Sequence, residues 1–154
     1  MISQKITYHP NTYIIHEFFE YDEDQLILYE RYDINEKIEY RKSQDVEFNF
    51  LNGKRHGTQK SWYLCSRKLA YEHNYINGQA HGSFKEWHPN GQLNTECHCL
   101  NGERHGSFKT WYPNGQLAYE HNYINGKEHG IQKGWFEDGK LEYEDKYING
   151  ELQW

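Results

Sequence analysis

The chain is built on a repeat. Asn-Gly pairs stand at Asn52-Gly53, Asn77-Gly78, Asn101-Gly102, Asn125-Gly126 and Asn149-Gly150, in steps of 25, 24, 24 and 24 residues. After each of the first four comes a His-Gly pair (His56-Gly57, His81-Gly82, His105-Gly106, His129-Gly130) and then a tryptophan (Trp62, Trp87, Trp111, Trp135). Gly78–Asn101 and Gly102–Asn125 agree at 14 of 24 positions, and LAYEHNYING occurs unchanged at 69–78 and 117–126. A fixed period of this length means one supersecondary unit stacked on copies of itself, in which each unit contacts only its neighbours.

Within a period the pattern is that of a β-hairpin. Segments such as GSFKEWH (82–88) and LAYEHNYI (117–124) alternate with period two, are rich in aromatics and end at Asn-Gly turns, all signs of strands. The inner turn is Pro89-Asn90-Gly91-Gln92 in one unit, Pro113-Asn114-Gly115-Gln116 in the next, and Asp138-Gly139 in the last. Read as two-residue type I′ turns, these place Lys85 opposite Glu96, Lys109 opposite Glu120 and Lys133 opposite Glu144. In the first unit Leu64-Cys65-Ser66-Arg67 replaces Pro-Asn-Gly; a three-residue loop centred on Ser66 places Lys60 opposite Glu72. One assumption thus yields four opposite-charge pairs, each worth roughly 0.2–1 kcal/mol. The expectation is an all-β chain: one elongated, twisted antiparallel sheet of 11–13 strands made of stacked β-hairpins, about 50–60 Å along the stack.

Residues 1–50 echo the repeat weakly. Tyr8-His9-Pro10-Asn11 through Glu17 keeps the nine-residue offset of Trp87 through Glu96, and Tyr21 through Glu30 repeats it with Glu23-Asp24-Gln25 at the turn. This segment holds 11 acidic and 5 basic residues, whereas 51–154 holds 12 of each, so the whole net charge of −6 lies at the N-terminal end. We read 1–50 as degenerate repeats capping the array and 51–154 as four regular repeats with a C-terminal tail, in one continuous domain. Leu152 and Trp154 are expected to fold back over the last unit, leaving a monomer or weak homodimer through that end.

The consensus, YINGxxHGSFKxWxPNGQLxxE, resembles the MORN repeat in its variant form, found in bacterial proteins labelled as antitoxin components and in large DNA viruses. The resemblance covers residues 51–154 and implies hairpins stacked into one elongated antiparallel sheet. It departs from the better-known form, since Glu72, Glu96 and Glu120 follow the Tyr-like position and no glycine stands two residues later. It also implies a protein partner, an antitoxin-like role with a cognate toxin being one version. A second implication is phospholipid contact.

Strict alternation sorts side chains into two faces. One carries Lys85, Trp87, Asn94, Glu96 and Leu100. The other carries Phe84, Leu93, Thr95, Cys97 and Cys99, continued by Leu117, Tyr119, His121 and Tyr123. The candidate partner-binding residues are Trp62, Trp87, Trp111 and Trp135 with Lys60, Lys85, Lys109 and Lys133, because tryptophan anchors interfaces. Each lysine faces a glutamate, so a peripheral phospholipid-binding module is the weaker alternative. An acidic chain with pI about 5.9 does not suit nucleic acid. The histidines of the His-Gly column sit two strands, or about 9.6 Å, apart, too far for neighbours to share zinc at 2.0–2.1 Å; their expected role is bonding to the turn backbone. Cys97-His98-Cys99 lacks a second cysteine pair, so no metal or cofactor is expected. P-loop, dinucleotide and nucleophile-elbow motifs are missing, which argues against an enzyme. Three cysteines and no apolar leader point to the cytoplasm.

Overall fold

The computed structural model describes residues 2–8, 14–22, 25–33, 38–43 and 45–154. These form sixteen strands and, among the described residues, no helix. In chain order they are β1 (Ile2–Tyr8), β2 (Ile14–Asp22), β3 (Gln25–Asp33), β4 (Ile38–Ser43), β5 (Val46–Leu51), β6 (Lys54–Arg55), β7 (Gly57–Trp62), β8 (Leu69–Ile76), β9 (Gln79–Trp87), β10 (Leu93–Leu100), β11 (Glu103–Trp111), β12 (Leu117–Ile124), β13 (Lys127–Glu128), β14 (Gly130–Trp135), β15 (Leu141–Ile148) and β16 (Glu151–Gln153). All belong to one antiparallel sheet whose spatial order is the chain order, with β6 and β13 as two-residue pieces ahead of β7 and β14. The path therefore has fourteen rungs, about 60–65 Å along the stack. This exceeds the expected 11–13 strands because β1–β5 are all full strands and the tail adds β16. The turns expected at His9–Asn11 and Glu23–Asp24 lie outside the described residues.

The Asn-Gly pairs between repeats form the type I′ turns. Both residues take positive φ, as at Asn77 (51°) and Gly78 (85°), a conformation asparagine and glycine tolerate best. The last four turns also tie their repeat to the one before: Gly78 N–H donates to Arg55 O at 2.7 Å, Gly102 N–H to Ala80 O at 2.8 Å, Gly126 N–H to Arg104 O at 2.9 Å and Gly150 N–H to Glu128 O at 2.8 Å.

The inner turns differ from the expectation. Only the glycine has positive φ (Gly91 93°, Gly115 87°, Gly139 84°). Gly91 N–H donates to His88 O, and His88 N–H donates to Gln92 O, both at 2.8 Å. Pro89-Asn90-Gly91 is thus a three-residue loop, a type I turn closed by a left-handed glycine. Asn90 Oδ1 accepts from Gln92 N–H at 2.9 Å, and Asn114 and Asp138 do the same for Gln116 and Lys140. In the first unit the loop has four residues, Leu64–Arg67, closed by Tyr63 N–H on Lys68 O at 2.9 Å.

A three-residue loop alone would shift the ladder by one and separate Lys85 from Glu96. A one-residue bulge at Asn94 takes up the shift: Leu93 pairs with Trp87, but Thr95 pairs with Glu86 and Glu96 with Lys85. The other units carry the same bulge at Ala70, Ala118 and Glu142. All four expected Lys–Glu pairs are therefore present, reached by a longer loop and a compensating bulge.

The His-Gly pairs are a second bulge. Cys99 pairs with Arg104 and Cys97 with Phe108, so His105-Gly106 are two extra residues on β11. His56-Gly57, His81-Gly82 and His129-Gly130 sit in the same place, each glycine at positive φ. Bonding of the imidazole to the turn backbone is met only at His56, whose Nδ1 accepts from Asn77 N–H at 3.4 Å. His105 Nδ1 and His129 Nδ1 are buried without a partner. The motif serves the bulge geometry instead. Gln59 and Gln132, each 1% exposed, fill it: Asn122 N–H donates to Gln132 Oε1 at 2.8 Å while Gln132 Nε2 returns to Asn122 O at 3.0 Å.

Among the described residues no second layer covers either side of the sheet, and the buried side chains include Glu30, Cys99 and Ala118. The tail does not fold back over the last unit. It continues the sheet as β16, with Leu152 opposite Tyr147, and Trp154 is fully exposed.

Candidate functional site

Each of Trp62, Trp87, Trp111 and Trp135 is the last residue of its strand, two residues beyond Lys60, Lys85, Lys109 or Lys133. Residues two apart share a face, so the eight candidate residues lie together on one side as two parallel columns. The lysines belong to one line across the sheet: Lys42, Glu47, Lys60, Glu72, Lys85, Glu96, Lys109, Glu120, Lys133 and Glu144 are successive cross-strand partners. The signs alternate throughout. Ion pairs close at 3.2 Å (Lys60–Glu72), 3.0 Å (Lys85–Glu96), 2.9 Å (Lys109–Glu120) and 3.0 Å (Lys133–Glu144). The lysine column is thereby neutralised.

The tryptophan column has a partner that alternation alone missed. The bulges at Ala70, Asn94, Ala118 and Glu142 flip the preceding leucine to the tryptophan side. Leu69, Leu93, Leu117 and Leu141 are the cross-strand partners of Trp62, Trp87, Trp111 and Trp135. Leu93 and Leu117 therefore do not share the face of Phe84 and Tyr119, as alternation had placed them. The three-residue turn signature Pro-Asn-Gly, combined with the Lys–Glu ladder, is the sequence signal that implies this bulge. Successive repeats then form clefts. Leu69 and Trp87, with Lys68, Asn90 and Gly91, line one of about 410 Å³. Leu117 and Trp135, with Gln116 and Gly139, line another of about 350 Å³. Trp62 lines a third, about 280 Å³, with Lys42, Ser43, Glu47 and Arg67. Leu141, which no following tryptophan covers, is 51% exposed.

The clefts are held by bonds between neighbouring repeats, from one inner loop to the next. Tyr63 Oη donates to Trp87 O at 2.7 Å, Tyr112 Oη to Trp135 O at 2.9 Å, and His88 Nε2 lies 2.8 Å from Trp111 O. Asn90 Nδ2 donates to Pro113 O at 2.7 Å. The carbonyls of Trp87, Trp111 and Trp135 are thus occupied. The four indole N–H groups donate no bond among the described residues, and none is buried.

The opposite face is packed with stacked aromatics around two polar clefts, one of about 310 Å³ lined by His73, Glu86, Cys97 and Arg104 and one of about 150 Å³ lined by His121, Glu128 and Tyr143. Tyr71 stacks on His73 and His73 on Phe84, each at 4.6 Å. Arg104 lies 4.3 Å over Phe108 and 5.5 Å over Tyr123, a cation–π sandwich. His73 Nε2 meets Glu86 Oε1 at 3.1 Å, and His121 Nε2 meets Tyr143 Oη at 2.7 Å. Burial holds both histidines below their usual pKa, although Glu86 and Glu128 pull the other way. Burial, reinforced by neighbouring Cys99, pushes the Cys97 thiol up to about 12, which leaves it protonated and a poor nucleophile.

The profile of the MORN repeat variant family matches residues 80–99, 104–125 and 128–149. Residues 80–149 carry three consecutive MORN repeats. No curated protein matches it. Each matched MORN segment is one hairpin: β9–β10, β11–β12 and β13–β15. The β7–β8 hairpin, which lacks Pro-Asn-Gly, lies outside the matches yet keeps the MORN ladder and bulges. MORN repeats are a non-enzymatic scaffold associated with protein or membrane-lipid binding. Among the described residues no helix is long and apolar enough to cross a membrane, and no group of three or more His, Cys, Asp or Glu is placed to hold a metal ion.

Proposed function

We propose that the chain is a non-enzymatic scaffold that binds a protein partner through its tryptophan face. The observation that carries this is the column of four half-buried tryptophans, spaced by one repeat, whose indole N–H groups bond nothing within the chain, with clefts beside Trp62, Trp87 and Trp135, two of them lined by leucine. Half-buried aromatics framed by polar groups are what interface anchors look like. A lipid headgroup would need free cations, and every lysine of the row is paired with a glutamate in a chain of net charge −6. The three free thiols suit a reducing, cytoplasmic setting.

The test compares the wild-type chain with a Trp87→Ser, Trp111→Ser variant. Quantitative affinity capture should recover a protein that the variant loses, while vesicles containing anionic lipid should fail to float either chain. Salt-sensitive flotation with anionic vesicles, and no tryptophan-dependent protein, would turn the reading towards lipid.

A further inference from the structure

The spacing and polarity of the tryptophan face define the kind of chain it takes, given that the face is the binding surface at all. Equivalent tryptophans lie two strands apart, about 9.4–9.8 Å. A ligand running along the stack must present one side chain to each cleft at that interval. A β-strand repeats each face every two residues, about 6.6–6.8 Å, and fails at once. An α-helix comes nearest at seven residues, about 10.5 Å, and is out of step by almost 3 Å across the three intervals of Trp62 to Trp135. A polyproline II helix has three residues per turn and about 3.1 Å rise, hence about 9.3 Å per turn. Over the same three intervals it drifts by only about 1 Å.

Hydrogen-bonding polarity narrows the choice further. The face offers donors, the indole N–H groups of Trp62, Trp87, Trp111 and Trp135, and tryptophan has no acceptor. Among the column's own main-chain acceptors, the carbonyls of Trp87, Trp111 and Trp135 already receive bonds from Tyr63, His88 and Tyr112. A ligand with exposed carbonyls and few N–H groups complements this, and that describes proline-rich chain. The alternating Lys–Glu row beside the clefts has no net charge, so the ligand needs none. Aromatic-lined grooves take such ligands because the extended helix is preformed and little entropy is lost on docking.

We infer that the tryptophan face binds a proline-rich, uncharged polypeptide segment in the polyproline II conformation, laid along the stack. One apolar or proline side chain in every three enters a Leu–Trp cleft, and an adjacent carbonyl accepts from the indole. Spanning the four tryptophans takes about ten to twelve residues.

The experiment titrates the full chain, ¹⁵N-labelled, with acetyl-(Leu-Pro-Pro)₄-amide and with acetyl-(Leu-Gly-Ser)₄-amide. The proline peptide should shift the indole resonances of Trp62, Trp87, Trp111 and Trp135 and leave that of Trp154 in place. The Gly-Ser peptide should bind at least tenfold more weakly. Trp87→Phe with Trp111→Phe keeps the rings but removes two donors; with an unchanged circular dichroism spectrum it should weaken the proline peptide about fivefold per position. Silent indoles, equal binding of both peptides, or indifference to the phenylalanine substitutions would each overturn the inference. If the proline peptide fails while affinity capture still recovers a tryptophan-dependent protein, the scaffold reading stands and only the ligand chemistry falls. If capture fails as well, the face itself is misassigned.

Discussion

Gly134 shows how one residue carries a packing decision in a sheet with so little buried volume. The equivalent positions in other repeats are Ser61, Glu86 and Thr110, but here Tyr143 lies across the backbone, and a Cβ on Gly134 would collide with its Cε1. The φ of Gly134 is not in the left-handed region, so the cost of Gly134→Ala is overpacking alone, about 1–3 kcal/mol. Thermal unfolding should show it, and in a Tyr143→Ala background most of that cost should vanish. The histidines give a second prediction at this scale. His73 faces Glu86 and Arg55, and His121 faces Glu128, Tyr143 and Arg104, with burial holding both below 6.5 in the fold. As pH falls through 6.5 the unfolded chain takes up protons that the fold still refuses, so stability declines below that point. Urea midpoints between pH 7.5 and 5 should fall less steeply for His121→Gln than for the wild type. A steeper fall in the variant would mean that His121 is charged in the fold.

At the level of the hairpin, the sequence made the cross-strand pairing legible and hid the path by which it is reached. Lys85 opposite Glu96 follows from a two-residue turn, yet the chain makes a three-residue turn and returns the lost residue at Asn94. Two departures cancel in the charge ladder but not in the leucines, whose side is set by the segment between turn and bulge. That segment decides the composition of the clefts, which is why the tryptophans and lysines could be read from the sequence and Leu69, Leu93 and Leu117 could not. The His-Gly pairs are similar: their constancy was visible, but a two-residue bulge is a property of two paired strands, and no single strand displays it. The charge row itself is testable. Lys85→Glu sets an acid between Glu72 and Glu96, both cross-strand neighbours, and should cost about 1–2 kcal/mol. The loss should shrink in 0.5 M sodium chloride, where the Debye length is a few ångströms. A penalty independent of salt would point to packing of the lysine stem.

As a whole the molecule is one layer of paired strands whose repeats bond forward through turns, bulges and carbonyls, so length is a free variable. Deleting 102–125 rejoins Asn101 to Gly126 and preserves both the Asn-Gly turn and the next hairpin. The shortened chain should keep its β circular dichroism and unfold with a denaturant slope reduced roughly in proportion to the surface lost. Loss of structure would show that coupling extends beyond nearest neighbours. The functional account rests on one feature of this architecture, the leucines that the bulges turn towards the tryptophans to make a row of clefts at the spacing of a ligand's turn. The most direct measurement is a methyl NOESY spectrum of the intact chain with leucine methyls labelled. The account predicts cross-peaks from Leu69 methyls to the Trp87 indole and from Leu117 methyls to the Trp135 indole. Cross-peaks from those methyls to the rings of Tyr71 and His73, or of Tyr119 and His121, would put the leucines on the opposite face and remove the clefts.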